Sequence, residues 1–98
     1  MIRHIFATGL KKETTEEQLN EIIAALQALK GQIPGMKDII VTKNYGWYQD
    51  KVQLVLCAEF DNKEDWDVYM HFPKHLKVGD DYGHLFDDDT SVVMQIEI

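Results

Sequence analysis

The sequence predicts an α+β chain whose strands and helices follow the order β-α-β-β-α-β. Three observations predict it. Apolar residues alternate through Val52 to Phe60, as in a strand. Leu19, Ile22, Ile23, Leu26 and Leu29 recur at three- and four-residue steps, forming one helical stripe. A helix-capping signal, Asp61-Asn62-Lys63-Glu64, follows the alternating run directly.

The first strand spans Ile2 to Thr8, with Ile2, His4 and Phe6 on one face and Arg3, Ile5 and Ala7 on the other. His4 thus stands in line with apolar neighbours, as a hydrogen-bonded core residue or as part of a pocket. Thr14 with Glu17 forms the expected capping box of the first helix, and Gly31 is its natural stop. Pro34-Gly35 turns the chain into a β-branched strand, Met36 to Thr42. The segment Asn44 to Asp50 is a loop whose Trp47 and Tyr48 contact either another chain or their own subunit.

In the third strand, Val52, Leu54, Leu56, Ala58 and Phe60 oppose Gln53, Val55, Cys57 and Glu59. Both faces carry apolar residues, which implies that the second face is also covered, by another subunit. The second helix is capped by Asp61 or Asn62 and runs to about His71, because Pro73 disfavours helical geometry at Phe72. Trp66, Tyr69 and Met70 share a face of that helix. A short, irregular helix interrupted by Gly79 and Gly83 follows His75. Asp87-Asp88-Asp89 is expected to be a solvated loop, since adjacent residues do not converge on a cation. The last strand runs from Ser91 to Ile98.

Ninety-eight residues, 45% hydrophobic and 28% charged, suit one folded domain over 1–98. A formal charge of −7 without a basic stripe argues against nucleic acid. No segment has the apolar length of a membrane span, and Met1 to Phe6 enters strand-like sequence without a leader, so a cytoplasmic location is expected. The single Cys57 has no disulfide partner and no zinc-ligand spacing, which leaves it as a small buried apolar residue. Neither a glycine-rich phosphate loop nor a metal-ligand pattern is present, and no cofactor is called for.

The element order is that of the ferredoxin-like motif, an antiparallel sheet with both helices on one face. A second copy packed sheet to sheet covers the other face most economically, so a homodimer is expected. The chain resembles the stress-responsive α/β barrel (Dabb) family of dimeric ferredoxin-like barrels over almost its whole length. The resemblance rests on Met1 to Ile5, the helix ending at Gly31, Ile33-Pro34-Gly35-Met36, Asn44 and Glu59-Phe60. It rests most on Asn62 to Tyr69 running into Pro73-Lys74-His75-Leu76. The family pattern after the second helix is Tyr, two residues, His, Pro, any residue, His. Tyr69, Pro73 and His75 match it, whereas Phe72 occupies the first histidine position. His71 lies one place earlier, turned by ~100° on a helix, and is expected at the surface.

Enzymes of this family include plant polyketide cyclases such as olivetolic acid cyclase, which use neither metal nor organic cofactor. The resemblance implies His75 as general base, Tyr69 as donor to the oxygen where charge develops, and His4 as the residue orienting His75 or the substrate. The cyclase pocket also has a tyrosine on the first helix and a histidine on the third strand, where this chain has Leu26 and Leu54. The expected pocket, between sheet and helices, is lined by His4, Phe6, Ile22, Leu26, Leu54, Tyr69 and His75 and suits a small apolar or aromatic ligand. The contrasting reading is a noncatalytic stress-related or assembly protein whose Tyr/His cluster pins the second helix to the first strand.

Overall fold

A computed structural model describes residues 1–98. Strand β1 (Ile2–Leu10) lies inside a four-stranded antiparallel sheet of order β2-β3-β1-β4, with β2 at Met36–Lys43, β3 at Leu54–Phe60 and β4 at Phe86–Glu97. Helices α1 (Glu16–Gln27), α2 (Lys63–His71) and α3 (Pro73–Tyr82) cover one face of it. This is the expected ferredoxin-like α+β fold, with the second helical region split in two.

The first helix starts one residue later than its sequence signal suggests. Thr15, in extended geometry, accepts from the Gln18 backbone N–H, and the Gln18 side chain accepts from the Thr15 N–H. That box replaces Thr14 with Glu17 and puts Glu16 and Glu17 in the first turn, where the helix dipole favours acidic groups and where Glu16 also pairs with Lys43. Leu19, Ile22 and Leu26 then face inward. The helix ends at Gln27, before the expected stop, and a turn carries the chain to Gly31, whose φ of 76° suits glycine.

Gln27 also closes an edge of the sheet. Its amide donates to the Ile39 carbonyl at 2.9 Å and accepts from the Val41 N–H at 2.9 Å. Strand β2 is an edge strand, so these bonds occupy backbone groups that would otherwise offer a pairing site. At the other edge β4 begins at Phe86, and Asp87 to Asp89 lie within it, contrary to the expected loop. A strand there needs only backbone pairing, which Gly9 with Asp87 and Leu10 with Phe86 supply. Asp88 and Asp89 remain exposed. At the bulge between Ala7 and Gly9, the Lys51 carbonyl lies 2.2 Å from where a Gly9 Cβ would stand, so no larger residue fits.

The two faces of the sheet differ sharply. Ile39, Leu54, Leu56, Ala58 and Phe60 are buried against α1 and α2 in the core. On the opposite face Ile40, Val92, Met94 and Ile96 are exposed, and Cys57 is only half-buried, not enclosed as its sequence position suggests. The reason is the alternation itself, which pairs Cys57 with Ile5 and Ile40 on the side without helices. No helix is long and apolar enough to cross a membrane.

Candidate functional site

The break between α2 and α3 builds the site. Phe72 is extended, with φ −67° and ψ 132°, and Pro73 opens α3 at its first turn, where a missing N–H costs nothing. The chain therefore restarts as a regular ten-residue helix through Gly79, in place of the expected irregular one. Its first turn carries His75 back against Tyr69, with ring centroids 4.2 Å apart. Tyr69 is 1% exposed and also meets Phe60 at 5.3 Å and His4 at 5.5 Å. It is the hub of the cluster.

These side chains border a cavity of about 260 Å³ between the sheet and the helices. Strand β1 contributes His4 and Phe6, α1 contributes Leu26, and β3 contributes Leu56. Tyr69 and Met70 come from α2, His75, Val78 and Gly79 from α3, and Phe86 and Val93 from β4. Of the seven lining residues expected from sequence, five are brought together. Ile22 and Leu54 are instead fully enclosed in the core, because the cavity-facing position of β3 is Leu56.

Every polar group in the wall is neutral at pH 7. Burial, with a smaller contribution from nearby His75, lowers the His4 pKa to about 4. Burial also lowers that of His75, opposed in part by the Met70 backbone, and raises that of Tyr69. A first-turn position adds the positive end of the helix dipole against a His75 imidazolium. His75 Nδ1 is buried without a hydrogen-bond partner. His4, by contrast, is held: the Trp66 indole Nε1–H donates to its Nδ1 at 3.1 Å, and the Gln95 amide nitrogen lies 3.1 Å from the same atom.

The chain matches the description of the stress responsive A/B barrel domain, Dabb, over residues 2–97. It belongs to the Dabb family. Among solved structures, a dimeric ferredoxin-like protein of unknown function from Thermobifida fusca is similar, with TM-score 0.88 and 23% identity, covering 99% of this chain and 90% of that one. A hydroxynitrile lyase from Passiflora edulis has TM-score 0.84 and 21% identity, covering 99% and 92%. A Dabb family protein from Mesorhizobium loti has TM-score 0.80 and 14% identity, covering 99% and 95%. No curated protein matches the chain.

Within this Dabb fold the remaining histidines stand apart from the cavity. His71 is exposed and bonds its own helix through Nδ1 and the Asp67 carbonyl at 2.8 Å, as the one-residue shift predicts. Phe72, at the family's usual histidine position, is half-buried and packs on the core outside the cavity wall. No three His, Cys, Asp or Glu side chains are grouped to hold a metal ion. Two residues that touch the site had no functional signal in the sequence. Trp66 is visible there only as a helix-face neighbour of Tyr69, and Gln95 only as a polar residue alternating with apolar ones in β4.

Proposed function

We propose that this Dabb protein binds a small, mainly apolar carbonyl compound in the cavity and moves the proton alpha to its carbonyl without a cofactor. The observation that carries this reading is the His75–Tyr69 pair, set 4.2 Å ring to ring in an apolar wall, with His75 Nδ1 buried and unpartnered. A neutral imidazole accepts the alpha proton while the electron pair of the C–H bond moves through the enolate to oxygen. The Tyr69 O–H, kept protonated by burial, donates to that oxygen, and His75 then returns the proton to carbon. That a hydroxynitrile lyase shares the fold supports an enzymatic reading.

The acting unit in this proposal is a homodimer joined through the uncovered sheet face. Exposed Ile40, Val92, Met94 and Ile96 support it, as do neighbours of this fold described as dimeric. A second reading, a noncatalytic protein in which the cluster only ties α2 and α3 to β1, draws on the near-complete burial of Tyr69.

His75→Ala separates the two. With acetophenone as the test ligand, the pocket reading expects wild-type protein to melt higher with ligand and His75→Ala to lose that response while keeping most of its own stability. A variant that melts much lower, together with wild-type protein indifferent to acetophenone, favours the structural reading.

A further inference from the structure

His4 is gripped from one side only. Indole Nε1 carries a hydrogen and no lone pair, so it can only donate. The His4 Nδ1 that it meets at 3.1 Å is therefore the unprotonated ring nitrogen. This contact alone decides the tautomer. Gln95, 3.1 Å away, directs its amide nitrogen to the same acceptor from β4. Placing a proton on Nδ1 would set an N–H against two N–H donors, so the neutral ring must carry its hydrogen on Nε2. Both hydrogen bonds of the ring go to Nδ1, which leaves Nε2 for a ligand, and His4 lines the cavity.

We propose that Trp66 and Gln95 are positioning residues that lock His4 as an Nε2–H donor, and that this N–H and the Tyr69 hydroxyl together hold the oxygen of an uncharged carbonyl ligand. The assignment rests on the pocket reading above and names the ligand's reacting group. Two donors suit the two lone pairs of one carbonyl oxygen, and the His4 and Tyr69 rings meet edge to face at 5.5 Å. His75, whose ring lies 4.2 Å from that of Tyr69 in the same wall, remains free to act on the adjacent carbon. A carboxylate of the same size is disfavoured, because no Lys or Arg lines the wall and both histidines are neutral. Uncharged ketones and aldehydes are therefore the preferred class.

The test uses long-range proton–nitrogen NMR of the His4 ring in wild-type, Trp66→Phe and Gln95→Met protein, each titrated with acetophenone and with benzoate. Wild-type His4 should show the Nε2–H tautomer, acetophenone should shift that signal, and benzoate should bind about tenfold more weakly or not at all. Trp66→Phe should mix the tautomers and weaken acetophenone by about tenfold. Gln95→Met, on the exposed β4, should give a smaller loss in the same direction and serves if Trp66→Phe folds poorly. Acetophenone binding with a tautomer unmoved in both variants overturns the positioning role alone. A locked tautomer in wild-type protein that ignores both compounds overturns the carbonyl assignment together with the pocket reading.

Discussion

On the inner face of the sheet, Ile39, Leu54, Ala58 and Phe60 are 0% exposed beneath the helices, whereas on the outer face Ile40 keeps 57% and Met94 43% of its surface in water. The side chains are of the same kind. What differs is the cover, and the two faces therefore do different work. Inner residues stabilise the single chain by leaving water, at roughly 25 cal/mol per Å² of apolar surface. Outer residues gain nothing comparable within the single chain, and the proposed homodimer is what would remove them from water. The inner layer is itself divided into a closed core around Ile22, Ile39 and Phe60 and an open end where His4, Tyr69 and His75 border the cavity.

The largest effect should come from the closed part of the inner face. Phe60→Ala removes a ring enclosed against Tyr69 and should cost about 3–5 kcal/mol in chemical denaturation. A cost near that of a surface change would mean that the core is not closed there. Next is the outer face, where Met94→Glu should leave the chain folded but monomeric in sedimentation. If the variant unfolds instead, the outer face is part of the chain's own core and the contrast between the faces fails.

The open end should announce itself by pH. The His4 pKa is about 4 in the folded chain against 6.5 unfolded, so the unfolded chain binds more protons between these values. Stability is therefore fully present above pH 6.5 and falls as pH drops toward 4, with His75 shifted in the same sense. His4→Gln should flatten that slope in unfolding curves taken across the interval, and an unchanged slope would place the titration elsewhere. The smallest effect belongs to Gly79, where an added methyl meets nothing within 4 Å. Gly79→Ala should raise stability by up to ~1 kcal/mol through helix propensity, while the methyl intrudes on the cavity and weakens acetophenone binding.

How far the sequence carries the account depends on the range of each interaction. Alternation in β3, the Asn62 cap and the break at Pro73 are local signals, and the structure follows them: Asn62 accepts from the Asp65 N–H at 2.9 Å, and Phe72 is extended. Asp87 to Asp89 misled because an edge strand is held by its backbone and tolerates charge on its side chains. The first helix slipped by one residue because Thr14 with Glu17 and Thr15 with Gln18 have the same capping-box spacing, and the structure forms the second. The His4 contacts were beyond local reading altogether. Trp66 lies 62 residues away along the chain and Gln95 lies 91, so only the folded sheet and helices bring them to one nitrogen. Family resemblance pointed to Tyr69, His75 and His4, but not to what holds His4 in place.

The most direct measurement of the central claim is deuterium exchange at the methyl group of acetophenone in heavy water near pH 7, followed by proton NMR. Wild-type protein should exchange those protons faster than buffer alone, His75→Ala should fall to the buffer rate, and Tyr69→Phe should fall most of the way. Exchange by wild-type protein no faster than buffer, under conditions where acetophenone raises its melting temperature, would contradict proton transfer by His75 and leave the cavity as a binding site only.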